Sequence, residues 1–189
     1  MIFLISLMIV IIMHELAHFG VALLCKCRVE EVSLGFGKLL YSIEYKKIKY
    51  SIRLILMGGY CKLKDELSYS RSKYAFSNLR YMKKVAISMA GIVVNVIAGA
   101  IAMALGWFFG SRTLLYFGLI SIALGITNAI PFPALDGSYP FLVLLEKRYG
   151  KKKGYMIMNK ICKIGFIILM ALNIAFLPLM IYYLAIGRL

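Results

Sequence analysis

Four long apolar runs organise this chain, at roughly 2 to 24, 85 to 109, 113 to 130 and 161 to 185. Each approaches the ~20 helical residues that cross a hydrocarbon core of about 30 Å. A stretch of different texture separates the first run from the second. From about 28 to 64, apolar and polar residues alternate and β-branched and aromatic side chains are frequent, with breaks at Gly35 and Gly37, at Lys46 and Lys47, and at Gly58 and Gly59. That alternation predicts two to four short strands. The polar, aromatic segment from Ser68 to Lys84 predicts a helix lying at a membrane interface. The third run is short and leads into "NAIPFPALDGSYPFLVLLEKRYG", where Pro131, Pro133 and Pro140 interrupt helical hydrogen bonding and predict a broken loop over 128–140. The expected fold is a mainly α membrane protein. Its four transmembrane helices carry a small membrane-associated β-sheet between helices one and two, in a single domain over 1–189, with no internal repeat.

Composition sharpens this picture. A hydrophobic content of 62% and a mean hydropathy of +0.84 exclude an ordinary soluble surface. The formal charge of +15, from 23 Lys and Arg against 8 Asp and Glu, suits nucleic acid or membrane topology, and its placement favours topology. Positions 26 to 84 hold 14 basic residues and 147 to 163 hold seven, whereas the linker between runs two and three has Arg112 alone. Both basic linkers therefore face the cytoplasm, the N-terminus faces outward and no nucleic-acid partner is expected. Cys25, Cys27, Cys61 and Cys162 form no CxxC pair and read as reduced structural thiols, with Cys25 and Cys27 as metal ligands the lesser reading. The start of the chain lacks a basic flank and a small-x-small cleavage site, so no removed signal peptide is expected.

The chemistry lies in the first run. In "IIMHELAHFG", His14 and His18 stand four residues apart on one helix face, and Glu15 follows His14 directly. An ionisable group at the bilayer centre costs about 2.5–3.5 kcal/mol, so three polar groups in one turn need compensation. One divalent zinc can supply it: two imidazoles at this spacing can ligate the metal, and the neighbouring glutamate can take a proton from the bound water, whose pKa falls from 15.7 to about 7; a chance HExxH match is the other reading. His14 and His18 are the only histidines, so the third ligand is a carboxylate or a thiolate. Asp136 alone among the carboxylates follows a broken apolar helix, on the side toward which the first run descends. A cap for the helix "GSYPFLVLLEK" is the plainer reading of the same residue.

Taken together, HELAH (His14 to His18), "SMAGIVVN" (Ser88 to Asn95) and "NAIPFPALDG" (Asn128 to Gly137) resemble the signatures of the site-2 protease family of intramembrane zinc metalloproteases, over about residues 2 to 145. The resemblance implies Zn2+ held by His14, His18 and Asp136, Glu15 as general base, and hydrolysis of a peptide bond in a transmembrane or signal-like substrate. The compactness of the chain suggests a bacterial origin, and with it a plasma membrane and an active site toward the cytoplasmic side. Ile92 stands where many members have proline. Gly91 and Asn95, one turn apart, suit close helix approach and a polar group needing partners in lipid. Asn95 reads either as a substrate or oxyanion contact or as helix-to-helix glue. Asn128 reads as lining a cavity or as part of a turn. "RLILMGGYCKL" (Arg53 to Leu63) resembles the strand on which the family is thought to hold an extended substrate, with Gly58 and Gly59 allowing close approach; a simple hairpin bend with the glycines at positive φ is the other reading. The resemblance leaves room for a regulatory membrane partner or a homo-oligomer. Two other readings compete: a membrane metalloprotease whose third ligand is Glu44 or Glu146, and a metal transporter or sensor using His14 and His18 as a transit site.

Overall fold

The computed structural model describes residues 2–66, 69 and 72–185. Helix α1 (Ile2–Leu24) follows the first apolar run. It closes with Lys26 in the left-handed region (φ 60°), where the amides of Lys26 and Cys27 donate to the carbonyls of Leu23 and Ala22, both at 2.9 Å.

Strands β1 (Val29–Tyr45) and β2 (Ile48–Leu63) follow, joined by the two-residue turn Lys46–Lys47. Both are long and bent, which explains the several breaks in the sequence pattern. Gly35 (φ +88°) sits so close to β2 that a Cβ there would meet the Ile55 carbonyl oxygen at 2.7 Å. The bends let one residue of β1 pair on both sides: Val32 opposes Cys61 and also Tyr50. The first half of β1 therefore lies between two arms of β2, antiparallel to Gly59–Leu63 and alongside Lys49–Ile52, while Leu39–Tyr45 forms a hairpin with Ile48–Arg53. The Gly59–Leu63 arm forms an outer edge of this sheet, and β2 packs against α1.

Of the interfacial helix expected over 68–84, the described residues before Tyr81 form no α-helix, and 81–84 belong to the next long helix. The part before Tyr81 holds a 3-10 turn (Phe76–Asn78) and an extended Arg80, with Asn78 Nδ2 donating to the Ser72 carbonyl at 2.9 Å. Positions 68, 70 and 71 lie outside the described residues. Asn78 bonds to nearby backbone and draws it out of a regular helix. Helix α2 (Tyr81–Phe109) then runs antiparallel to α3 (Arg112–Ala129) through a tight connection at Gly110 and Ser111. The two helices touch backbone to backbone: a Cβ at Gly99 would stand 2.8 Å from the Gly118 carbonyl oxygen, the small-residue contact that membrane helices favour.

After α3, a loop carries a second 3-10 turn (Asp136–Ser138) into α4 (Tyr139–Tyr149). Pro140 opens this helix instead of breaking it, because its first-turn position needs no amide hydrogen. Helix α5 (Lys151–Ala185) begins at 151, not 161. Helices α1, α2, α3 and α5 are long and apolar enough to cross a membrane. A core of Ala22, Val29, Val32, Leu63, Phe76 and Ile87 joins the end of α1 to the sheet and to α2. Nearby, Lys84 is 1% exposed. Its Nζ donates to the Ser77 carbonyl at 3.0 Å and to Glu146 Oε1, and it lies 5.1 Å from the centre of the Tyr155 ring.

Candidate metal centre

Because α1 is regular, His14 and His18 project from successive turns of one face, with ring centroids 4.7 Å apart and planes at 75°. They point at α2 where Gly91 leaves room: a Cβ at Gly91 would come within 2.5 Å of both rings. The 3-10 turn after α3 brings Asp136 to the same point. His14 Nε2 lies 2.8 Å from Asp136 Oδ2, His18 Nε2 lies 3.3 Å from that oxygen, and the two Nε2 atoms are 3.1 Å apart. Among the described residues these three form a group whose donor atoms all lie within 4.8 Å of one another. Burial pushes the Asp136 carboxyl up, but with the imidazoles protonated their hydrogen bonds and charge outweigh it and hold it at about 2.

The donor set fits a cation. His18 Nδ1 donates to the Ile87 carbonyl at 2.7 Å, which leaves the Nε2 lone pair aimed at His14 and Asp136. His14, 6% exposed, meets the Asn95 amide through Nδ1 at 3.1 Å. Asn95 Nδ2 faces the ring, and the buried Oδ1 has no partner among the described residues. The two ends of an amide are told apart only by their hydrogen bonds. Turned over, Asn95 Oδ1 accepts from His14 Nδ1–H and frees the second Nε2 lone pair. Two lone pairs and a carboxylate oxygen then converge, at separations close to the roughly 3.3 Å edge of a tetrahedron with zinc bonds of about 2.0–2.1 Å. A ligating histidine held by a hydrogen bond to its other nitrogen is the usual outer support of such a site.

Glu15 faces a cavity of about 190 Å³ lined also by His18, Cys61, Glu66, Asp136 and Tyr139. The Cys61 amide hydrogen-bonds its carboxylate, and a Cβ on Gly59 would stand 3.4 Å from Glu15 Cγ. Of the other residues read from sequence, Asn95 is fully buried against His14. Gly58 packs on the Phe36 ring, and Asn128, near the end of α3, is not among the residues lining the cavity. Glu146 is bound to Lys84 and exposed Glu44 pairs across the hairpin with Lys49, so neither approaches the imidazoles. Burial pushes the Cys27 thiol up to about 12, far from a metal-binding thiolate. The four cysteines are free.

Sequence reasoning passed over Glu66 and Tyr139. The Tyr139 hydroxyl donates to Glu66 Oε1 at 2.8 Å, and burial raises the Glu66 carboxyl above its ordinary range. Glu66 was one carboxylate among several in a polar linker, with no apolar background to mark it out.

The profile of peptidase family M50 matches residues 2–113 and 110–172. The chain belongs to this family, the site-2 protease family of zinc metalloproteases. This M50 chain is 38% identical over 113 residues to the regulator of sigma-E protease RseP of Escherichia coli K12, covering 57% of its own length and 25% of RseP. The RseP of Salmonella typhimurium gives the same identity and coverage. A Clostridium acetobutylicum protein named as a candidate zinc metalloprotease is 38% identical over 93 residues, 49% of this chain and 27% of that protein. The chain thus spans about a quarter of the length of these curated relatives.

Proposed function

We propose that this M50 chain is an intramembrane zinc endopeptidase that cleaves a transmembrane or signal-like segment near the cytoplasmic face of a bacterial plasma membrane. His14, His18 and Asp136 hold the Zn2+, and Glu15 is the general base. The reading is carried by one observation: Nε2 of both histidines and Oδ2 of an aspartate more than a hundred residues away meet at a single point beside the Glu15 cavity.

When bound, zinc supplies Lewis-acid activation of water and of the scissile carbonyl. The chain does the rest. Asn95 and the Ile87 carbonyl fix the ring orientations of His14 and His18. Glu15 accepts the proton that leaves the attacking water and delivers it to the departing amine, with the Cys61 amide steadying its carboxylate. The outer edge of the Gly59–Leu63 arm, next to Glu15, offers backbone hydrogen bonds to an unwound substrate, and Gly58 and Gly59 allow that approach.

The test is cleavage of short membrane peptides in proteoliposomes together with bound zinc. Glu15→Gln keeps its zinc and loses about 10²–10⁴-fold in rate, whereas Asp136→Ala loses zinc and activity together. A transporter or sensor would carry on unaffected by Glu15→Gln. Metal flux with no cleavage in the wild type would replace the protease reading with that one.

A further inference from the structure

Just beyond the end of α1, a pocket of about 400 Å³ opens between the helix end and the hairpin turn, lined by Lys26, Arg28, Lys46, Lys47, Ile48 and Tyr74. No acidic residue lines it. Among the described residues, the carboxylates that form ion pairs do so with His14, His18, Arg53, Lys62 and Lys84, and none with these four cations.

Three of the lysines stand where the backbone disfavours them. Lys26 (φ 60°) fills the left-handed position of the motif that ends α1, a place for glycine or asparagine. Lys46 (φ 50°) and Lys47 (φ 64°) form a two-residue turn with both residues left-handed, where Asn-Gly is favoured. The helix end has no need of the Lys26 charge, since backbone amides meet its carbonyls and Lys83 Nζ donates to the Cys25 carbonyl at 3.3 Å. Topology alone asks for positive charge on this side, not for lysine at strained positions around one pocket.

The pocket adjoins apolar ground across Leu23. A groove of about 880 Å³ runs between α1 and α2, past Ala17, Gly20, Leu24, Met89 and Val93, and Leu23 lines both it and the basic pocket. We propose that groove and pocket form one binding site for an anionic phospholipid, with the phosphate among the lysines and an acyl chain along the groove. The apolar run of α1 ends at Leu24 and the cations follow at once, so in a bilayer the pocket lies at headgroup depth. A soluble phosphate would use the pocket but leave the groove empty. The proposal needs α1 to cross a bilayer but does not depend on peptide cleavage.

The experiment is native mass spectrometry of the full chain in neutral detergent, titrated with phosphatidylglycerol or phosphatidylcholine of the same acyl chains, and with glycerol 3-phosphate as free headgroup. The variant Lys26→Asn/Lys46→Asn/Lys47→Gly keeps each left-handed position with a better-suited residue. It is expected to bind phosphatidylglycerol on the order of a hundredfold more weakly, from about fivefold per lysine near an anionic headgroup, with phosphatidylcholine binding unchanged and melting temperature no lower. Gly20→Phe, at a site where a Cβ meets nothing within 4 Å, is expected to obstruct the groove and weaken phosphatidylglycerol several-fold. Equal retention of both lipids by the wild type, or undiminished phosphatidylglycerol binding by the triple variant, overturns the proposal. Displacement of the lipid by glycerol 3-phosphate at equal concentration overturns it in favour of a free phosphate.

Discussion

Two buried polar clusters stand close together and differ in kind. Around Lys84, an ammonium, a carboxylate, a carbonyl and aromatic faces satisfy one another. Around His14, two imidazole nitrogens and a carboxylate oxygen crowd toward one another, and the amide oxygen of Asn95 behind them has no partner among the described residues. The first cluster pairs its two charges from the protein alone, with members from α2, the 3-10 turn, α4 and α5, although the Tyr155 hydroxyl has no hydrogen-bond partner among the described residues. The second presents donor atoms that a cation would complete. A closed network holds elements together, whereas converging lone pairs leave room for a ligand and for chemistry.

The largest expected effect separates the two. Lys84→Met should cost about 3–5 kcal/mol of stability by leaving Glu146 buried and unpaired, and adding Glu146→Leu should recover most of it. The zinc content of the folded fraction should stay constant in both, as measured by urea titration in detergent with metal analysis. A single-variant cost below about 1 kcal/mol would mean the pair is an ordinary surface bridge. Next, chelation should lower the wild-type stability by about 2.7 kcal/mol when zinc had been held at a hundred times its dissociation constant. His14→Leu should respond to chelator hardly at all, and a wild type equally indifferent would show that nothing is missing from the second cluster. Asn95→Ala should weaken zinc binding by about 10- to 100-fold while Asn95→Asp, which still accepts from His14 Nδ1–H, retains it, as read by competition with a zinc dye. Smallest is Ser121→Ala, which removes the 2.8 Å bond to the Asn95 carbonyl. It should cost about 1 kcal/mol and leave zinc binding alone.

What could be read in advance followed contrast with the background. His14, Glu15, His18 and Asp136 are polar groups in or just beyond apolar runs, where each needs a reason, and the structure gathers them. Asn95 stood out for the same reason, but its partner did not, because a pattern along α2 says nothing of which residue on α1 it meets. The Ile87 carbonyl that orients His18 carries no side-chain signal. Helix starts were misjudged where hydropathy marks the edge of the apolar run and not of the helix. Lys151 to Lys153 and Lys160 are good helix formers that belong to α5 despite their charge. In the sheet, Gly35 signals a change of direction, which the chain uses to bend one strand between two arms of its partner.

Gly91 gives the centre a mechanical property. With only hydrogen on its α-carbon, the two imidazoles rest directly against the backbone of α2, and no compressible side chain separates them. The spacing of α1 from α2 and the aperture available to an ion are therefore one dimension. Whatever tilts those helices, bilayer thinning included, reaches the donor atoms without attenuation.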